Sequence, residues 1–245
     1  MDETLMARYW TEDAGNYDRV VKGELSGWQK EAWRALFREL VPAGSKEALD
    51  FGCGPGFFSI LLSEAGLSVT GIDCSAGMIE AARKNTEGAS GSFRFLQGDI
   101  ASAPFPPASF DVIASRNVTW TLSDPEGVYR KCREMLKPGG ALLVFDANWN
   151  LPLFDEELAR RCQERERRCI ERYGSTFDGP ALSLSLDLKA LPLSSKLRPQ
   201  WDLEALRKAG FQRVEVIPGL VDRLWSEKEK LLYGETPLFG IRAIV

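Results

Sequence analysis

Hydrophobic and polar positions follow two rhythms along this chain. Short apolar runs recur at Glu47–Phe51, Ser68–Ile72, Phe93–Gln97, Phe110–Ala114 and Ala141–Phe145. Their length and their flanking glycines and prolines predict five strands. Between them, apolar residues fall at helical spacing. Phe57–Ala65 is closed by Gly66. Ala76–Asn85 has Ser75 as N-cap. Pro125–Leu136 has Asp124 as cap and Pro138-Gly139-Gly140 as its stop. Strands alternating with helices of about ten residues predict a parallel sheet covered on both faces.

The flanks behave differently. Tyr17–Val41 reads as helix in two segments, broken near Ser26-Gly27 and ended by Pro42-Ala43-Gly44. After Asp146 the rhythm breaks. A highly charged helix, Asp155–Tyr173, leads into a loop-rich stretch with Pro180, Pro192 and Pro199. The rhythm resumes with a helix at Leu203–Ala209, a Gly210 stop, a strand at Phe211–Ile217 and a last strand at Phe239–Val245. The interruption is too short and too polar to bury a good core alone, so it is read as an insertion within one domain.

Composition narrows the classes of function. The chain has 245 residues, 44% hydrophobic and 27% charged, which suits one large globular domain. Its formal net charge of -4 and pI of about 5.2 count against a dedicated nucleic-acid binder. Histidine is absent, which excludes a Ser-His-Asp triad, a Cys-His nucleophile and a typical zinc site. The five cysteines, Cys53, Cys74, Cys132, Cys162 and Cys169, form no C-x-x-C pair and read as reduced thiols. The acidic MDETLMARYW opening has no signal-peptide core, and no apolar run reaches membrane-span length. The expectation is a cytoplasmic protein.

The chemistry concentrates in LDFGCGPGFFS, where three glycines fall within five positions after the first strand. Glycine lets the backbone turn sharply and lets a ligand touch it, next to the free N–H groups of a helix start. A phosphate-binding loop would need a lysine after the last glycine, and none follows. A dinucleotide fingerprint fits Gly52 and Gly54 but meets Phe57 where its third glycine belongs. Asp73 ends the second strand, 21 residues after Gly52, where a carboxylate can accept both hydroxyls of a ribose. The pattern predicts a ligand with a ribose and no need of a pyrophosphate.

LDFGCGPGFFS, VTGIDCSAGMIEAARKN, FLQGDI, SFDVIASRNVTW and LKPGGALLVFD, in that order, resemble the class I S-adenosylmethionine-dependent methyltransferases, of the methyltransferase type 11 kind. The likeness runs from Ala48 to Asp146, and WDLEALRKAGF continues it. It implies a Rossmann-like doubly wound α/β sheet of seven mostly parallel strands with an antiparallel last strand. One domain would span 1–245, with an N-terminal helical flap (1–44), a cofactor-binding core (45–147), a lid insertion (148–200) and the rest of the core (201–245). The likeness also implies the cofactor, S-adenosyl-L-methionine, and the product, S-adenosyl-L-homocysteine. Gly52, Cys53, Gly54 and Gly56 would face its methionine part, with Asp50 orienting the loop and the amino group. Asp73 would hold the ribose, Cys74 and Met78 would flank the adenine, and Asp99 with the Ile100 backbone would read its edge. Ser115 and Arg116 would border the methyl group and the substrate.

The implied reaction is an in-line displacement, which depends on positioning and on exclusion of water. No general base is identifiable; Asp, Glu, Tyr or an ordered water could serve. A W-x-x-x-A-x-x-Y-D pattern, here Trp10, Ala14, Tyr17 and Asp18, forms a flap in related enzymes or anchors a helix to the core. Asn148 and Trp149 follow the fifth strand and should face the pocket mouth. SRNVTW resembles the quinone-biosynthesis C-methyltransferases, which would give Arg116 and Asn117 a hold on an acidic phenol or a water. The charged insertion and the DANW segment depart from those enzymes, so only the fold region carries over. The helix ELARRCQERERRCIERY reads as a solvated face of interleaved charges in preference to an RNA contact. The expected acceptor is a small molecule at a site including Arg116, Asn117, Trp149 and Tyr17. The expected state is a monomer or homodimer with no metal, nucleic acid or membrane partner. The alternatives are an RNA or protein methyltransferase, a nicotinamide-dependent oxidoreductase, and a non-catalytic cofactor-binding module.

Overall fold

A computed structural model describes residues 3–176 and 187–245. Pro180 of the loop-rich stretch lies outside them. In chain order the strands are β1 (Glu47–Phe51), β2 (Ser68–Asp73), β3 (Phe93–Gln97), β4 (Phe110–Arg116), β5 (Leu136–Asp146), β6 (Arg213–Val216) and β7 (Phe239–Ile244). They form one sheet in the order β3-β2-β1-β4-β5-β7-β6. Every neighbour pair is parallel except the two made by β7, which is antiparallel to β5 and β6. The predicted sheet, with its reversed last strand, is the observed one.

Nearly continuous apolar strands can be buried on both faces because successive side chains point opposite ways. Ala48, Val112 and Leu143 join one apolar cluster, and their neighbours Leu49, Ile113 and Val144 join the other. Three helices cover the first face: α2 (Trp28–Leu40), α3 (Phe57–Glu64) and α8 (Leu220–Leu224). Two more, α5 (Pro125–Met135) and α7 (Gln200–Lys208), cover the second. The Trp33 ring sits edge-on to Phe58 and Phe145, each 4.9 Å away, tying α2 to α3 and β5.

Several elements depart from the predicted boundaries. The first helix, α1, runs Glu3–Ser26, far upstream of Tyr17; it is tied to α4 (Ala76–Asn85), and only its later turns, through Val21, join the sheet core. Pro138-Gly139-Gly140 does not separate helix from strand. β5 runs through it, with a register shift between Phe110 and Val112 and the Gly139 amide donating to Val245. The charged helix of the insertion, α6, is Glu156–Tyr173, with Asp155 as its cap. Two short helices, α8 and α9 (Glu227–Tyr233), fill a stretch between the expected last two strands where no element is predicted.

Candidate active site

Strand order reverses between β1 and β4, and in an open parallel sheet the ligand crevice opens beyond the carboxyl ends at that point. A cavity of about 290 Å³ lies there. Its floor is the turn from β1 into α3. Gly52 and Gly54 hold left-handed conformations, φ +65 and +50, that only glycine adopts cheaply. A Cβ at Gly52 would also run into Val118, and one at Gly54 would meet the Tyr17 ring at 3.5 Å. The Gly52 and Cys53 amides donate to the Ile72 carbonyl, and the Gly54 amide donates to Asp73 Oδ2. Asp73 Oδ1 accepts from the Ser75 amide, while Ser75 Oγ caps α4 through the Met78 amide. Asp73 is thus fixed by backbone at the end of β2 while its carboxylate borders the cavity.

Ten of the residues assigned to the cofactor line this cavity: Asp50, Gly52, Cys53, Gly54, Asp73, Cys74, Met78, Asp99, Ile100 and Arg116. Tyr17, Asn117 and Trp149 line it too. Gly56 and Ser115 do not. Gly56 starts α3 at φ +91, and the nearest atom to a Cβ there would be Ala82 of α4, at 3.4 Å. The Ser115 side chain is fully buried in β4, and its hydroxyl has no partner. The Asn148 side chain also turns away, accepting from the Arg198 amide and donating to the Arg198 carbonyl.

The charges are distributed unevenly. Four acidic side chains line the cavity, Asp50, Asp73, Asp99 and Asp124, against one basic residue, Arg116. Arg116 is already paired, with Nη2 2.7 and 2.8 Å from the two Glu24 oxygens. Its guanidinium lies 4.7 Å from the Phe57 ring centroid. Phe57, the residue that breaks the dinucleotide fingerprint, is therefore the platform for this cation. Burial pushes the Asp50 carboxyl up to about 7, although the Ser59 hydroxyl donates to it at 2.7 Å. Burial raises the Tyr17 phenol as well, so Tyr17 stays protonated at neutral pH.

The N-terminal pattern ties α1 to α4 and lines the cavity with aromatic rings. Trp10 meets Tyr17 and Trp120 edge-on over the cavity, at 5.9 and 6.4 Å. On the same helix, Thr11 Oγ1 is 2.9 Å from Ser75 Oγ, and Asp18 accepts from Asn85 at 2.7 Å. Asn85 donates in turn to the Pro55 carbonyl of the glycine loop.

A second cavity, of about 220 Å³, adjoins the first and shares Tyr17, Arg116, Asn117 and Trp149 with it. Its remaining walls are Val20, Glu24 and Trp33 from the N-terminal helices and Leu224, Trp225, Glu229, Tyr233 and Leu238 from the C-terminal segment. The sequence analysis named none of these. The signal was present in Ser226-Glu227-Lys228-Glu229, a capping box that starts α9 and turns Glu229 inward.

Trp149 owes its position to a buried network. Asp146 ends β5, and its Oδ1 accepts from Trp149 Nε1 and the Ala147 amide, at 3.0 and 2.9 Å. Its Oδ2 accepts from Thr119 Oγ1, the Trp120 amide and Arg198 Nη1. Arg198 also donates to both oxygens of Asp202, which accepts from Tyr129 as well. Asp146, Asp202 and Arg198 are all almost fully buried.

Residues 49–144 match the family model described as a methyltransferase domain. Malonyl-[acyl-carrier protein] O-methyltransferase of Serratia marcescens is 28% identical over 58% of this chain and 52% of its own length. Phosphoethanolamine N-methyltransferase 1 of Arabidopsis thaliana is 33% identical over 53% of this chain and 27% of its own. The chain thus spans about half the length, or less, of these curated relatives. Among solved structures, a SAM-dependent methyltransferase from Thermotoga maritima superposes with a TM-score of 0.61 at 21% identity, over 97% of this chain and 98% of that one. A Haemonchus contortus phosphoethanolamine N-methyltransferase 2, solved with phosphomonomethylethanolamine and S-adenosylhomocysteine, does so at 0.58 and 18% identity, over 89% of this chain and 53% of that one. These likenesses establish the fold.

Proposed function

We propose that this chain is an S-adenosyl-L-methionine-dependent methyltransferase acting on a small molecule. The observation that carries this reading is the lining of the first cavity. It sets four acidic side chains and bare glycine backbone against a single arginine that Glu24 already neutralises. Such a site repels a pyrophosphate and suits a ligand with an ammonium, a sulfonium and a ribose. When bound, the cofactor supplies an electrophilic methyl carbon and leaves as S-adenosyl-L-homocysteine. Asp73 accepts from the ribose hydroxyls, and Asp50 with the Gly52–Gly54 backbone faces the amino-acid end. Cys74 and Met78 flank the adenine, and Asp99 with the Ile100 amide reads its edge. Trp10, Tyr17 and Trp120 keep water from the centre, where a dispersing charge gains from its absence. Arg116, Asn117, Trp149 and Tyr17, shared by both cavities, border the point of transfer.

The domain division of the sequence analysis belongs to the same proposal, with the lid spanning 148–200. No helix among the described residues is long and apolar enough to cross a membrane. A cytoplasmic monomer or homodimer fits this reading. Calorimetry with adenosylhomocysteine tests it. Binding, together with a raised Tm, is expected; binding of NADH in its place would overturn it.

A further inference from the structure

From the second cavity we infer the chemical class of the methyl acceptor: a small amine, cationic in water, with an apolar body. The inference rests on the methyl-transfer reading above. The walls are aromatic. Trp149 and Trp225 pack against Tyr233, with ring centroids 5.3 and 5.8 Å apart, and Trp33 lies on the side of the N-terminal helices. Aromatic faces carry partial negative charge and attract cations.

The ionised groups point the same way. Two carboxylates, Glu24 and Glu229, face one arginine. Glu24 is fully engaged, since both its oxygens accept from Arg116. One Glu229 oxygen accepts from the Ser226 amide and hydroxyl, each at 2.7 Å, and Glu229 forms no ion pair among the described residues. The enclosure therefore carries one uncompensated negative charge among aromatic rings. A carboxylate or phosphate acceptor would meet that charge, and the one cation of the enclosure already holds Glu24 through Nη2, leaving only its buried Nη1 to offer. An ammonium would be held by both features.

The junction with the first cavity offers an independent sign. Asn117 belongs to both cavities and is held at φ +57, an uncommon conformation for a residue with a side chain. Its Oδ1 is buried and has no hydrogen-bond partner. A buried, unmatched acceptor beside the transfer point suits an N–H donor. For transfer, the ammonium gives one proton to water. The freed lone pair bonds to the methyl carbon as the carbon–sulfur bond breaks, and the sulfur keeps that bonding pair. The products are a methylated ammonium and a neutral thioether.

The test is calorimetry with two probes of equal shape and opposite charge, 2-phenylethylamine and 3-phenylpropionate, on the protein alone and saturated with adenosylhomocysteine. The amine should bind at least about tenfold more tightly than the carboxylate. Glu229→Gln keeps the capping box, since glutamine serves at that position, but removes the charge. It should weaken the amine by about tenfold while leaving Tm and adenosylhomocysteine affinity unchanged. Trp225→Phe, which keeps an aromatic wall with a weaker face, should cost less than that. Equal or tighter binding of the carboxylate overturns the inference. So does amine affinity unmoved by Glu229→Gln, or no amine binding at millimolar concentration. Failure of adenosylhomocysteine to bind strikes instead at the methyl-transfer reading, because the probe contrast is also measured on the protein alone.

Discussion

The two ends of the active-site crevice are built by opposite means. At the glycine-loop end, backbone does the work. Gly52 and Gly54 take conformations closed to other residues, and backbone amides fix Asp73 in place. At the end nearer the insertion, side chains do it. Asp146 and Arg198 bring Thr119, Trp120, Trp149 and Asp202 together through buried charge. A backbone-built site depends on a few contiguous residues. A side-chain-built one depends on partners scattered from position 119 to position 202, any of which can be lost.

The sharpest way to break this comparison is Arg198→Ala. It leaves two carboxylates, Asp146 and Asp202, buried without their cation. Removing one partner of a buried pair costs on the order of 3–5 kcal/mol, so Tm should fall by roughly 10 °C. Acceptor turnover should be lost along with it, as Trp149 loses its anchor. A Tm within a few degrees of the parent, by calorimetry or circular dichroism, would show that the insertion does not lean on this network.

Asp73→Ala should act at the other end with a comparable energy and a different readout. Two hydrogen bonds to a charged acceptor are worth about 1.5–3 kcal/mol each, so adenosylhomocysteine affinity should drop by about 100-fold or more. Titration calorimetry reads this directly, and Asp73→Asn should fall between variant and parent. Unchanged affinity would remove Asp73 from the ribose and undo the backbone-built site.

The same contrast explains what could be read from the sequence. The glycine loop, Asp73 and the order of strands β1 to β5 were legible because each is a local pattern with a local cause. A turn needs glycine, a strand end places an acid, and alternation places a core face. Arg198 was not legible. Two of its partners, Thr119 and Asp146, lie 79 and 52 residues upstream, and the third, Asp202, is an i,i+4 carboxylate that by itself reads as an ordinary surface pair. Glu229 and Tyr233 were missed because α9 is only seven residues long, too short for a periodicity to register. Asn148 was misplaced for a related reason. Following a strand puts a residue near the crevice, but tertiary partners decide which way its side chain turns.

Asp50 gives a pH test of the backbone-built end. Its folded-state value of about 7 lies above the ordinary 3.8, so the protein without ligand holds a proton there that the unfolded chain releases. Its contribution to stability therefore declines as pH rises from about 4 to about 7. A ligand ammonium beside it favours the carboxylate, so binding must expel that proton. Adenosylhomocysteine affinity should rise with pH up to about 7, by up to about tenfold per pH unit, and then level off. Asp50→Asn should flatten the profile. A slope that survives that change would move the ammonium away from Asp50.

The smallest effect is expected on the charged helix of the insertion, where an arginine of the same chemistry sits in water. Arg167 on α6 pairs with Glu164 and Glu171 at 2.8 and 3.0 Å, distances as short as those of Arg198. Geometry alone would rank the two alike. They differ in that the Arg167 side chain is 63% exposed, and that of Arg198 is 1% exposed. Exposed pairs gain little, because water and salt screen them and two long side chains must be held in one geometry. Arg167→Ala should leave Tm, adenosylhomocysteine affinity and acceptor turnover unchanged within measurement error. A clear loss of turnover with Tm intact would mean that α6 contacts something other than solvent during the reaction, and the insertion would then have to be treated as a binding surface.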